Sequence, residues 1–167
     1  MKSLTARKEF AKSKLVMSLD YIFGKGTGKK IDFEKVDFKY SRRTGRLKYV
    51  IEKSTEKILF TFRSNGTIAP TIIGAEMLIS GRNISRIKSR PRWTITVLDG
   101  VSDFISNGRT VFCKHVVSCS DFLRPGEDVA VLNESGRLLA MGRSMLAGAV
   151  LKQFKRGAAV KIREGAQ

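Results

Sequence analysis

Few residues in this chain could make or break a covalent bond. Its 167 residues include one histidine, His115, and two cysteines, Cys113 and Cys119. A thiol and an imidazole two positions apart share one face of a strand, which is a weak pattern for a nucleophile and its base. Cys119 would lie beyond the end of that strand, and the spacing matches no zinc pattern. The carboxylates Asp20, Asp32 and Asp37 have no histidine or cysteine in the same half of the chain to act with. The segment Gly24-Lys25-Gly26-Thr27-Gly28-Lys29-Lys30 invites a nucleotide-binding reading. A Walker loop or a G-x-G-x-x-G turn beginning at Gly24 would need glycine at position 29, which is lysine, and no strand precedes it. A flexible basic loop that lies along a phosphate backbone, or a plain linker, fits the segment better. These residues predict a protein that is not an enzyme and holds no metal or cofactor.

The chemistry on offer is that of cations. Lys and Arg number 32 against 15 Asp and Glu, a formal net charge of +17. Such a surplus favours phosphate-rich partners, nucleic acid first. The surplus is also lopsided. Residues 1–90 hold 21 Lys/Arg and 8 Asp/Glu, a balance of +13, whereas residues 91–167 hold 11 and 7, a balance of +4. A charge serving only solubility does not explain that split. The densest run is 82–92, where Arg82, Arg86, Lys88, Arg90 and Arg92 occur with no acid among them. No apolar run approaches the roughly 18–20 residues of a membrane span. Lys8, Lys12 and Lys14 interrupt any secretory signal, and free thiols suit a reducing cytosol. The expectation is a cytoplasmic protein with no membrane partner.

The elements that must position these residues can be read from periodicity. Leu4, Phe10, Leu15, Leu19 and Ile22 predict a helix over 4–22, stopped by Gly24. Val36, Phe38 and Tyr40 alternate with polar residues as a strand. Arg46–Ile51 and Lys57–Phe62 follow, the latter closed by Ser64-Asn65-Gly66. Pro70 stands where a second helix would begin, with Ile72, Ala75, Met77, Leu78 and Ile79 as its buried surface and Gly81 near its end. The basic stretch 82–92 then reads as the connection between domains 1–90 and 91–167. Beyond it the pattern is mostly β. Trp93–Leu98 is a strand, and Val101–Ser106 a short helix stopped by Asn107-Gly108. Thr110–Val117, Val129–Leu132, Leu138–Met141, Met145–Ala149 and Ala159–Ile162 are further strands, with a type II turn at Pro125-Gly126. Lys152–Arg156 is a helical or turn connection. The sum is an α+β N-terminal domain followed by a small, partly closed β barrel.

Three phrases carry a resemblance: Gly108-Arg109 leading into Val111-Phe112-x-Lys114, the turn Leu123-Arg124-Pro125-Gly126, and Lys155-Arg156-Gly157-x-Ala159-Val160. In this order, across residues 92–165, they resemble a PUA domain, an RNA-binding pseudo-barrel with one or two short helices. Upstream, Asp20-Tyr21-x-Phe23-Gly24-Lys25-Gly26, Tyr40-Ser41-x-x-Thr44-Gly45-Arg46 and Ile68-Ala69-Pro70-Thr71-x-x-Gly74-Ala75 look like the pre-PUA region of archaeal archaeosine tRNA-guanine transglycosylase. Nearly the whole chain is thus similar to the non-catalytic C-terminal part of that family. The family's (β/α)₈ barrel, which needs roughly 250 residues, has no counterpart in it.

The resemblance implies structured RNA as ligand, tRNA first, held near its acceptor stem and 3′ end in the service of tRNA modification. By motif position, Gly108 would let a phosphate approach the backbone, and Arg109 would pair with phosphate oxygens. Val111 and Phe112 would meet the terminal bases, and Lys114, Arg156 and Lys161 would line the groove. Arg90 and Arg92 complete the candidate set. Alternation along 111–117 puts Phe112 outward with Lys114 as a stacking residue, while the other placement tucks Phe112 under a loop. Two roles follow. The chain acts alone on tRNA or as a ribosome-associated factor, or it is a separately encoded RNA-binding subunit that docks on a catalytic partner.

Overall fold

The computed structural model describes residues 2–80 and 90–166, with side chains from Thr5 onward. Arg82, Arg86 and Lys88 of the cationic run, the helix stop at Gly81 and the Leu4 side chain lie outside the described part. The chain forms two compact units, residues 1–78 and 79–167.

The first unit sets one long helix, α1 (Lys2–Phe23), with a four-stranded antiparallel meander and a short second helix. The strands are β1 (Val36–Tyr40), β2 (Leu47–Glu52), β3 (Ile58–Phe62) and β4 (Ile68–Pro70), in that spatial order. The face of α1 that packs inward is Ala11, Leu15, Leu19 and Phe23, one residue per helical turn. Phe10 is not on it. It lies about 100° around the helix from Ala11 and is 68% exposed, contrary to the expected apolar stripe. The glycine loop after α1 is also not a free arm. Asp20 Oδ1 accepts from the Gly28 amide at 2.6 Å, Thr27 is buried, and a Cβ on Gly28 would lie 2.7 Å from the Val16 backbone. The loop is folded back onto α1, with Lys25 and Lys29 exposed.

Pro70 ends β4 instead of starting a helix. Its register partner is Phe60, and β4 is an edge strand, where a missing N–H costs the sheet little. Helix α2 (Ile72–Ile79) is capped by Thr71, whose Oγ1 accepts from the Gly74 amide at 3.3 Å.

The second unit is a six-stranded sheet in the order β6-β10-β9-β8-β5-β7. Its strands are β5 (Thr94–Val97), β6 (Val111–Phe112), β7 (Val116–Cys119), β8 (Asp128–Leu132), β9 (Leu138–Ser144) and β10 (Ala158–Gly165). Helices α3 (Ser102–Ser106) and α4 (Gly148–Leu151) are short. The two edge strands, β6 and β7, are joined by only the 3₁₀ turn Cys113–His115. A sheet whose opposite edges are three residues apart must curl until they meet. The turn bonds to both sides of the seam: the Cys113 amide donates to Gly157 O at 3.0 Å, and His115 O accepts from the Leu98 amide at 3.0 Å. This is the expected barrel-like closure, with Ile95, Val97, Val131, Leu139 and Val160 at its core.

Closure also explains two departures from the expected strands. Thr110–Val117 is not continuous, because its halves belong to opposite edges of the sheet, and Cys119 lies inside β7 rather than past a strand end. Met145–Ala149 is no strand either. Ser144 Oγ donates to Leu146 O at 2.7 Å, the Gly148 amide donates to Leu123 O at 2.9 Å, and the chain turns there into α4. The expected β8–β9 pair is present, and Gly126, at φ +83°, sits in the turn that precedes β8.

Candidate nucleic-acid interface

The cleft that gathers the predicted residues lies beside the seam of the second unit. Helix α3 ends at Ser106 with Asn107 as its C-cap, and Gly108, at φ +81°, reverses the chain in the left-handed region that glycine adopts at least cost. The Gly108 amide donates to Ile105 O at 2.9 Å and the Arg109 amide to Phe104 O at 3.1 Å, so Arg109 is brought back against the helix. The chain then enters β6, whose pleat sends adjacent side chains to opposite faces. Val111 is 1% exposed and Phe112 is 48% exposed, so Phe112 is the outward residue of the two.

These elements enclose a pocket of about 290 Å³, lined by Phe104, Ile105, Arg109, Phe112 and His115 among others. Two half-open phenyl rings with a guanidinium and an imidazole make a surface on which a flat aromatic ligand can stack while its phosphate meets a cation. Among the described residues that line it there is no carboxylate, and Thr110 supplies the one side-chain hydroxyl. Among the described residues, no group of three or more His, Cys, Asp or Glu is placed to hold a metal ion.

Of the nine predicted residues, Arg109, Val111 and Phe112 line the pocket and Gly108 shapes its approach. Lys114 is exposed in the 113–115 turn, next to the lining residue His115. Arg156 is exposed in the turn that precedes β10, where Ala158 pairs with Phe112. Lys161 is exposed on β10 directly across from Arg143 of β9, whose register partner on the other side is Asp128 of β8. Arg143 belongs with this set although the sequence reading passed over it. So do Phe104, 66% exposed, and His115. An aromatic residue beside a glycine helix stop was the available signal for Phe104. His115 gave none once its strand was misread as continuous.

Arg90 has a different place. Its guanidinium donates to Thr96 Oγ1, to Asn133 O at 3.1 Å and to Glu134 O at 2.6 Å, tying the β8–β9 turn to β5. Burial lowers its pKa, partly offset by Glu134. Arg92 is exposed and does not line the pocket. Both cysteines are free thiols, and burial pushes both up from the ordinary thiol range, Cys119 being partly relieved by Lys152.

Comparison with known proteins sets this geometry in a family context. Residues 93–166 match the PUA domain, and residues 13–83 match the patch-forming domain C2 of tRNA-guanine transglycosylase. The tRNA-guanine(15) transglycosylase of Methanocaldococcus jannaschii is 38% identical over 132 residues, 78% of this chain and 19% of that enzyme. That of Thermococcus kodakarensis is 35% identical over 156 residues, 92% of this chain and 25% of the enzyme. The chain therefore spans a quarter or less of the length of these relatives. Among solved structures, a hypothetical protein from Pyrococcus horikoshii OT3 matches with a TM-score of 0.71 at 25% identity, over 93% of this chain and 90% of that one. A conserved PUA domain protein from Thermoplasma acidophilum shares the fold, with a TM-score of 0.63 at 22% identity over 95% of this chain and 89% of its own.

Proposed function

With a PUA domain following the patch-forming C2 domain of tRNA-guanine transglycosylases in this chain, we propose that it binds structured RNA, tRNA near the acceptor stem and 3′ end, and serves tRNA modification by recognition and not by bond chemistry. The observation that carries this reading is the pocket between α3 and β6. Phe104 and Phe112 offer exposed ring faces there, and Arg109 stands beside them. An unpaired terminal base stacks on such rings with little regard to its identity, and the guanidinium pairs with the phosphate that follows. Lys114, Arg156 and Lys161, all exposed, would extend the contact along the backbone. The division that goes with this reading is a basic pre-PUA domain over 1–90 and a PUA domain over 91–167. A cytoplasmic setting suits a tRNA ligand, and no helix among the described residues is long and apolar enough to cross a membrane.

Binding of a tRNA transcript and of the same transcript trimmed of its unpaired 3′ nucleotides tests the reading. Full-length RNA should bind at least fivefold more tightly. Equal affinities would place the ligand's recognised part elsewhere, and no binding of either would remove the reading altogether.

One observation favours the subunit role as a second reading. Phe10, Met17 and Tyr21, seven and four residues apart, fall on one face of α1 and are 68%, 71% and 84% exposed. Apolar surface of this kind suits a protein partner. Recovery of the chain with a transglycosylase-type barrel protein from native extract would support that role, and recovery with RNA alone would count against it.

A further inference from the structure

The first unit carries a second cleft that the pocket beside β6 does not explain. It opens between α1, the β1–β2 turn and the β3–β4 turn, and its volume of about 640 Å³ is more than twice that of the pocket described above. Five of its eleven lining residues are cations, Lys14, Arg43, Arg46, Lys48 and Arg63, and none is an acid. Ser41, Thr44 and Ser64 add hydroxyls. Elsewhere this chain neutralises cations locally, as in Lys12–Glu9, Lys35–Asp32 and Lys152–Asp121. Among the described residues, no carboxylate forms an ion pair with Lys14, Arg43, Arg46 or Lys48.

The cleft is built before any ligand arrives. Gly45, at φ +65°, closes the β1–β2 turn, the Ser41 amide donates to Arg46 O at 2.8 Å, and the Gly45 amide donates to Ser41 O at 2.8 Å. Arg7 then straps the turn to α1, donating to Gly45 O at 2.9 Å while its guanidinium lies 3.9 Å over the Tyr40 ring. On the other wall, Gly66, at φ +83°, sets the turn that carries Arg63 and Ser64. The Lys14 ammonium sits 5.3 Å from the ring centroid of Phe62, a cation–π contact between two residues of the lining. Like charges gathered along one cleft repel one another, and an entering anion relieves that repulsion.

We propose that this cleft is a second RNA contact, which takes consecutive phosphates of the sugar-phosphate backbone. The inference rests on the RNA-binding reading above and adds a site to it. Several cations with interspersed hydroxyls suit a row of phosphates, each of which accepts several hydrogen bonds. A recess between two turns admits a strand of backbone, whereas a planar lipid surface would meet only its rim. The site contains no exposed aromatic ring, since Phe62 is 7% exposed, so it holds backbone and reads no base.

The test is the salt dependence of tRNA binding by the full chain, compared among wild type, the double variant Arg43→Gln/Arg46→Gln and Phe112→Ala. Losing about two phosphate contacts should lower the slope of log K against log salt by about 1–2. The double variant should show that change, with roughly tenfold weaker binding at low salt and an unchanged preference for the untrimmed 3′ end. Phe112→Ala should show the reverse, a lost end preference with the slope retained. A double variant that matches wild type overturns the second site while leaving the function intact. A Phe112→Ala variant that matches wild type overturns the terminal pocket while leaving the cleft intact. If wild type binds no RNA, both readings are overturned.

Discussion

Phe112→Ala separates binding from folding more cleanly than any other single change. The ring is 48% exposed, so about half its side chain is already in water. Full burial of a phenylalanine is worth about 1.5–3 kcal/mol, which makes the folding cost of the truncation about 1 kcal/mol. For a chain of this size that lowers the melting temperature by about 2–4 °C. Loss of one base stacked on the ring costs about 1–3 kcal/mol of binding, a roughly 5- to 150-fold rise in Kd. Its neighbour Val111 supplies the control. It is 1% exposed on the other side of the pleat, so Val111→Ala should cost about 2 kcal/mol of stability, the loss expected of a core residue at this strand. Fluorescence anisotropy with labelled tRNA, beside a thermal melt of each variant, reads both quantities. The reasoning fails if Phe112→Ala keeps its affinity within twofold, or if its stability falls as far as that of Val111→Ala. Either result would make Phe112 a cap on the core.

Arg109→Ala and Lys114→Ala should each weaken tRNA binding by about 1 kcal/mol or more while leaving the melting temperature nearly unchanged, since both side chains are exposed. Arg90→Ala should behave oppositely. It removes the donors to Thr96, Asn133 and Glu134 and should cost about 2 kcal/mol of stability in a denaturant titration, with Arg90→Lys a poor substitute because it lacks the fork. Gly148→Ala should be severely destabilising by the same measurement, because its Cβ would stand 1.8 Å from Ser120 O, a backbone atom that no rotamer change can move. Alkylation of the native protein near neutral pH should be slow at both thiols, since burial holds Cys113 and Cys119 protonated, and Cys119 should react first as pH rises because it is the less buried residue.

What the sequence disclosed and what it hid divide along a physical line. Local signals were legible. Gly24, Gly66, Gly108 and Gly126 all have positive φ where a stop or turn was expected, and β1, β2, β3, β8 and β9 follow their apolar patterns. Features that depend on distant partners were not. The break of 110–117 into two edge strands follows from closure of the sheet, which no local window encodes. Pro70 resembles a helix start until β4 is known to be an edge strand. The inward face of α1 was misread because Phe10 is larger than Ala11, yet Ala11 is the one in register with Leu15 and Leu19. At the pocket, motif positions led to Arg109, Val111 and Phe112. Phe104 and His115 join them only through the chain reversal at Gly108 and the turn at the seam.

The central claim, that RNA enters the pocket between α3 and β6, is met most directly by photocrosslinking the full chain to tRNA and locating the attached residues by mass spectrometry. Crosslinks at Phe104, Phe112 or His115, from nucleotides at the 3′ end, are the predicted result. Crosslinks that avoid all three, or that fall only on the Phe10–Met17–Tyr21 face of α1, would contradict it.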